Sequence, residues 1–142
     1  MNLGQTLIAI LALVLLVTIA VNINRARLSA IAATVDNLVD QEALNFGQSI
    51  LELVSRRAQT NEGYDDLEEI FVGDGTTPFR QETFDSGRTL YAFVDVEFVD
   101  EHETTKPYRH KQVTVSVYTD PNRDNIRSQY SAGLIPWWRH HW

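Results

Sequence analysis

The stretch Met1-Asn-Leu-Gly-Gln-Thr-Leu-Ile-Ala-Ile-Leu-Ala-Leu-Val-Leu-Leu-Val-Thr-Ile-Ala-Val-Asn-Ile-Asn24 decides the fold, because none of its 24 residues carries a charge. All 12 basic and 19 acidic residues of the 142-residue chain lie after it. A bilayer crossing needs about 20 apolar residues. Leu7–Val17 is apolar throughout, so a helix there has no polar face and requires burial on every side. The sequence therefore predicts a hydrophobic helix held in a membrane or in a protein core.

A cleavable secretory signal is the alternative explanation for this stretch. Such a signal has a basic start and a small-residue cleavage site. No Lys or Arg precedes the apolar run, and the run passes directly into a polar helical pattern, so a retained helix is preferred. Arg25 and Arg27 follow the span, which favours a cytoplasmic body unless a basic leader preceded Met1. The first 45 residues contain no aromatic side chain, which a permanent span usually has at its interfaces.

The helix is predicted to continue far beyond the apolar run. Between Arg25 and Thr60 there is no Pro, and Gly47 is the only Gly. Apolar residues three to five positions apart form one stripe of an amphipathic helix, which is predicted to pack against a C-terminal body. With Ala43 on the same face, the stripe consists of Leu28, Ile31, Val35, Leu38, Phe46, Ile50 and Leu53. A Gly at position 63 suits a helix C-cap, so one helix over 3–60 is expected.

The C-terminal part reads as a small β-rich head. Thr89–Val99 and Gln112–Tyr118 alternate between apolar and polar residues, which predicts two half-buried antiparallel strands. Asn125–Ala132 is a candidate third strand, and Asp65–Ile70 a short acidic helical turn before a loop. The predicted fold class is α+β: a hydrophobic helix (1–24), its amphipathic continuation (25–61) and an antiparallel β-sheet head (62–142).

Composition excludes several functions. The net charge of −7 gives no general footprint for nucleic acid. The absence of Cys removes disulfides, thiolate metal sites and a cysteine nucleophile.

Residues 61–105 carry a net charge of −11, and residues 106–142 a net charge of +4. These patches either compensate each other inside the head or meet between subunits.

Two motifs are candidate binding sites. Asp120, Asn122 and Asp124 match the start of a calcium loop, but Asn125 stands where that loop prefers Gly and Ser131 where it has Glu, so a polar turn after a strand is the preferred interpretation. The tail holds Trp137, Trp138 and Trp142, which are expected to anchor the terminus or contact a surface or neighbouring subunit. A metal site from His102, His110, His140 and His141 is a further alternative. No other cofactor is expected.

Asp95 and Glu97 share a strand face, but no catalytic constellation is present, and the chain is predicted not to be an enzyme.

The segments Met1–Val14 and Ala43-Leu-Asn-Phe-Gly-Gln-Ser-Ile-Leu-Glu-Leu53 resemble type IV pilins and pseudopilins. The resemblance implies a pilin-like fold, whose apolar helix sits in the inner membrane and then forms the core of an extracellular filament. The implied partners are further copies of the chain, other pilins and the assembly machinery. The implied core consists of Leu3, Gln5, Leu7, Ile8, Ile10, Leu11, Leu13, Val14, Leu15, Leu16, Val17, Ile19 and Val21.

The sequence departs from the family at the fifth mature position, where the family has Glu. That position is Gln5 if Met1 is the first residue and Ala9 if cleavage follows Gly4. The family's usual helix Pro and C-terminal cysteine pair are also absent. The leading hypothesis is a structural subunit of a pilus-like filament. The alternatives are a minor pseudopilin of a secretion or uptake machine, a single-pass anchored interaction domain and, last, a small extracytoplasmic enzyme.

Overall fold

The computed structural model describes residues 2–99 and 110–135 and has the predicted α+β fold. Its N-terminal helix, α1, spans Leu3–Arg57 without a break, close to the predicted 3–60. Asn2 precedes the helix, and the backbone carbonyl of Asn2 accepts hydrogen bonds from the N–H groups of Gln5 and Thr6. Arg56 and Arg57 occupy the last turn, where positive charge is favourable for the helix dipole.

Contacts divide the chain into two units, Met1–Asn37 and Leu38–Trp142. In the second unit α1 contributes one face to the core, which consists of Val39, Ala43, Phe46, Gly47, Ile50 and Val54.

The buried face of α1 corrects the predicted stripe. Phe46 and Ile50 are buried as expected, but Leu38 is 41% exposed and Leu53 is 43% exposed. Their neighbours Val39 and Val54 are buried in their place. The observed spacing of three or four residues follows the helical period, whereas the step of five from Leu38 to Ala43 does not. The remaining predicted members, Leu28, Ile31 and Val35, are exposed residues of the first unit.

Two short helical segments follow α1. Helix α2 spans Asn61–Asp65, and the hydroxyl of Thr60 accepts the N–H of Gly63 at 3.1 Å as its N-cap. A π-helical turn then spans Glu68–Val72. The predicted turn at Asp65–Ile70 is thus divided between two elements. Tyr64 and Phe71 in these elements, and Leu67 between them, are buried in the core.

Four antiparallel strands form one sheet in the order β1-β2-β3-β4. The strands are β1 (Arg80–Thr83), β2 (Thr89–Val99), β3 (His110–Tyr118) and β4 (Ile126–Leu134). β2 and β3 are the two strands of the predicted hairpin, with Val94 opposite Val115. β4 begins one residue after the candidate third strand and ends two residues later, whereas β1 lies in a region predicted to be a loop.

The sheet packs its apolar face on α1. That face consists of Leu90, Ala92, Val94, Val113, Val115 and Val117, all nearly inaccessible to solvent. The hydroxyl of Ser128 on β4 donates to the carbonyl of Ala43 at 2.8 Å. A Cβ atom on Gly47 would lie only 3.0 Å from the Tyr130 ring. The small residues at positions 43 and 47 therefore let β4 approach the helix backbone closely.

The opposite face of the sheet carries a second contact that the alternation did not predict. Phe93 points away from the main core but is only 1% exposed. The guanidinium of Arg123 lies 4.0 Å from the Phe93 ring centroid, and Tyr118 packs edge-on against it at 5.6 Å. Arg123 also donates to the carbonyl of Gly75 at 2.8 Å, so the β3–β4 turn covers this aromatic ring.

Candidate functional site

The exposed apolar surface of α1 from Leu3 to Val21, here called the apolar segment, is the candidate functional site. Its twelve large aliphatic side chains are between 43% and 88% exposed. They are Leu3, Leu7, Ile8, Ile10, Leu11, Leu13, Val14, Leu15, Leu16, Val17, Ile19 and Val21. A contiguous apolar surface of this kind is rare on isolated soluble domains and indicates contact with lipid or protein.

The polar side chains of the apolar segment are bonded within the helix. The hydroxyl of Thr18 donates to the carbonyl of Val14 at 2.8 Å. The side-chain oxygen of Gln5 accepts the backbone N–H of Asn2 at 3.4 Å, as the third residue of a capping box does. Because polar groups are costly to bury without partners, these internal bonds suit the segment to a nonpolar environment.

The segment is long and apolar enough to cross a membrane, by length and composition. None of its most apolar window is buried within the chain. It is therefore not an internal core helix of the described fold, although a signal sequence would meet the same criteria.

The candidate calcium loop is organised by hydrogen bonds to the carboxylate of Asp120. One oxygen of its carboxylate accepts the N–H groups of Asn122 and Asp124, each at 3.0 Å, and the other accepts the N–H of Asn125 at 2.9 Å. These bonds, above all the one from Asp124, hold the pKa of Asp120 below its ordinary value of 3.8. The polar-turn interpretation accounts for these contacts. Among the described residues no group of three His, Asp or Glu side chains is placed to hold a metal ion.

A second aspartate turn was not predicted from the sequence. The carboxylate of Asp74 accepts from the N–H groups of Thr76 and Thr77, both at 3.0 Å, and from the Thr77 hydroxyl at 2.6 Å. The Thr77 bonds, followed by those from Thr76, hold the pKa of Asp74 far below its usual range. An Asp followed by Gly, Thr and Thr is the sequence signal that could have identified this turn.

Three basic residues of the head make local contacts. Arg123 pairs with Asp95 at 3.6 Å, and Arg127 pairs with Asp40 at 3.2 Å. Lys111 is 4% exposed and donates to the carbonyl of Tyr64 at 2.7 Å. The pair Arg123–Asp95 is thus one instance of charge compensation inside the head, whereas Arg127 pairs with α1.

The other predicted site residues do not converge. Asp95 is occupied by Arg123, while Glu97 is exposed further along β2. His110 begins β3. The predicted contact residues Trp137, Trp138 and Trp142, and the histidines His102, His140 and His141, lie outside the described residues.

Comparison with known protein families, with curated proteins and with solved structures finds no match for this chain. The observations on the fold therefore stand on their own. A long N-terminal helix, apolar over its first part, is followed by a small antiparallel sheet. This is a pilin-like architecture, with one described helix able to span a membrane.

Proposed function

We propose that the protein is a structural subunit of an extracellular, type IV pilus-like filament that polymerises through its apolar segment. The observation that carries the proposal is the exposure of all twelve large aliphatic side chains between Leu3 and Val21. None of the segment's most apolar window is buried among the described residues, which supports a partner outside the chain, either another molecule or a bilayer.

The size of this surface sets the energetic requirement. Full burial of a large aliphatic side chain is worth about 1.5–3 kcal/mol against water, so twelve correspond to roughly 18–36 kcal/mol. That exceeds the 5–15 kcal/mol by which a typical domain is stable. The segment therefore does not remain in water, and two environments meet its requirement: the inner membrane before assembly and a bundle of like helices afterwards.

Two features favour a helix that moves between these environments over a simple anchor. α1 continues without a break from the apolar segment to Arg57, which couples the segment to the head through a continuous hydrogen-bonded element. The segment also lacks Tyr and Trp, which hold permanent spans at the membrane interfaces. Since lipid is as apolar as a helix bundle, the transfer would be driven by side-chain packing and by contacts between heads.

A single-pass anchored interaction domain, or a minor pseudopilin, is the second candidate. The observation that favours it is length, because the 19 residues of the apolar segment match one bilayer crossing. Under this alternative the protein stays in the membrane and forms no homopolymer.

The test compares Leu13→Arg with Gln59→Arg in the full chain. Leu13 is 65% exposed in the middle of the apolar segment, whereas Gln59 is an exposed residue beyond α1. An Arg at the centre of a span costs about 3 kcal/mol on insertion scales, and an unpaired charge in a packed core also destabilises. Leu13→Arg should abolish filaments in negatively stained, sheared cell-surface material, and Gln59→Arg should leave them. Filaments formed by Leu13→Arg, or none formed by the unmodified chain at high expression, would overturn the proposal.

A further inference from the structure

The aliphatic residues of the first unit contain a heptad repeat that runs beyond the apolar segment. Counting from Leu3, an aliphatic side chain recurs at alternating steps of four and three residues, the spacing of a coiled-coil seam. The positions are Leu3, Leu7, Ile10, Val14, Val17, Val21, Asn24, Leu28, Ile31 and Val35, with Asn24 as the one polar member. We call the part from Val21 to Val35 the heptad seam.

The heptad seam is exposed where the chain is no longer apolar on all sides. Leu28 is 61% exposed, Ile31 60% and Val35 37%. Arg25 and Arg27 lie off the seam, as do four alanines and Ile23, which is 50% exposed. Between Leu28 and Val35 the only large aliphatic side chains are those of the seam, which is the pattern of a helix that meets a helical partner.

Asn24 specifies how a partner would align. Its side-chain amide makes no hydrogen bond to any of the described residues. Burying an amide against aliphatic side chains is unfavourable unless it finds a polar partner. A second copy aligned in register would place its own Asn24 opposite, where the two amides can hydrogen-bond to each other, whereas a shifted alignment would leave each amide against aliphatic side chains.

The charges beside the seam are compatible with the same alignment. Val21, Leu28 and Val35 are the first core positions of successive heptads. In a parallel pair of helices, the residue just before such a position faces the residue five places further along the partner helix. Arg27 would then face Ala32, and Arg25 would face Ala20, so no two like charges oppose each other. Two copies inserted through the same apolar segment into one bilayer also share one orientation, and confinement to the membrane raises their effective concentration.

The geometry points to the heptad seam as a parallel, in-register contact between copies of this chain while they are held in the membrane. Leu28 and Ile31 occupy the first and second core positions of one heptad. Leu at the first position with Ile at the second favours bundles of three or four helices over pairs, so the contact includes small parallel bundles. The inference goes beyond the proposed function, since a protein that never polymerised would form the contact equally well.

Cysteine cross-linking tests the contact directly, because the chain contains no Cys. Single variants Leu28→Cys, Ile31→Cys and Val35→Cys are oxidised in native membranes and compared with Ala26→Cys and Ala33→Cys, which lie on the opposite side of the helix. Disulfides need Cα atoms within about 7 Å, so the seam variants should form at least about fivefold more covalent dimer than the two controls. Equal cross-linking at all five positions, or a maximum at the Ala positions, would overturn the contact.

The role of Asn24 has its own test. Asn24→Leu removes the polar pair but keeps the seam apolar. In the Asn24→Leu, Leu28→Cys double variant, staggered alignments become competitive, and the yield of the symmetric 28–28 dimer should fall relative to Leu28→Cys alone. An unchanged yield would show that Asn24 does not set the register.

The result is separable from the proposed function. Subunits of a helical filament are displaced along its axis, whereas the seam contact is in register, so oxidised Leu28→Cys should be trapped in the membrane. Filament yield should drop on oxidation and recover with reductant. If no filaments form under any condition but the seam pattern is present, the proposed function fails and the contact stands. If filaments form while all five positions cross-link equally, the contact fails and the proposed function stands.

Discussion

Enlarging Gly47 should loosen the contact between α1 and β4. A Cβ atom at position 47 would lie 3.0 and 3.1 Å from two carbons of the Tyr130 ring and 3.3 Å from the Ser128 hydroxyl oxygen. Gly47→Ala requires these groups to move by a few tenths of an ångström, while replacing a helical Gly gains about 0.5–1 kcal/mol. The two effects nearly cancel, so Gly47→Ala should leave the free energy of unfolding of the head almost unchanged.

Gly47→Leu adds three further carbons to the same space. Overpacking of this kind costs typically about 1–3 kcal/mol, and the helical gain offsets at most about 1 kcal/mol of it. The head should therefore lose about 1–2 kcal/mol. Every aromatic residue lies at or after Phe46, so near-UV circular dichroism of the full chain in detergent reports on the head alone during urea unfolding.

A double-mutant cycle with Tyr130→Ala checks the cause. Removing the ring vacates the space that the Leu side chain needs, so Gly47→Leu should cost at least about 1 kcal/mol less in that background than in the parent. The reasoning would be refuted if Gly47→Leu were neutral in the parent, or if its cost were the same with and without the Tyr130 ring.

Three further predictions use the same urea assay. Phe46→Ala removes a buried ring that packs edge-on against Phe84 at 5.2 Å and should cost about 3–5 kcal/mol; a loss under about 1 kcal/mol would contradict the assigned core. Lys111→Met keeps the length of the buried stem but removes the donor to the Tyr64 carbonyl, and should cost about 1–3 kcal/mol; an unchanged midpoint would refute it. Asp120→Ala should destabilise the head at neutral pH, because a carboxyl whose pKa is lowered on folding stabilises the fold above its unfolded pKa near 3.9. This contribution disappears as the pH falls through the lower folded pKa, so parent and variant should converge in acid, and a constant difference across pH would exclude the mechanism.

The elements with strong periodicity were predictable from the sequence, and those without it were not. The uncharged run and the absence of Pro predicted α1 to within three residues of its end, and strict alternation predicted β2 and β3. β1 was not predicted because Arg80-Gln-Glu-Thr83 contains no apolar residue and is exposed at every position. Such an edge strand is defined by its partner β2, not by its own pattern.

The packing details depended on information that periodicity does not contain. A rotation of α1 about its axis by less than one-third of a turn decides whether Val39 or Leu38 faces the sheet. Because both residues are apolar, the sequence pattern does not determine this rotation. Phe93 alternates with the core residues of β2 and so lies on the opposite face of the sheet, where Arg123 reaches across from the β3–β4 turn and covers it. The candidate site itself, the apolar segment, was predictable because it follows from the absence of charge alone.

The strand order of the sheet bears on the timing of folding. Each strand pairs with the strand that precedes it in the chain, through connections that are short in sequence. Folds dominated by such local pairings form quickly, since little loop entropy is lost before contacts are made. Pairing of these strands within one chain does not depend on concentration, whereas encounters between chains do. Association through the N-terminal helix would then begin from heads that are already folded, and intermediates with unpaired strands would rarely meet each other.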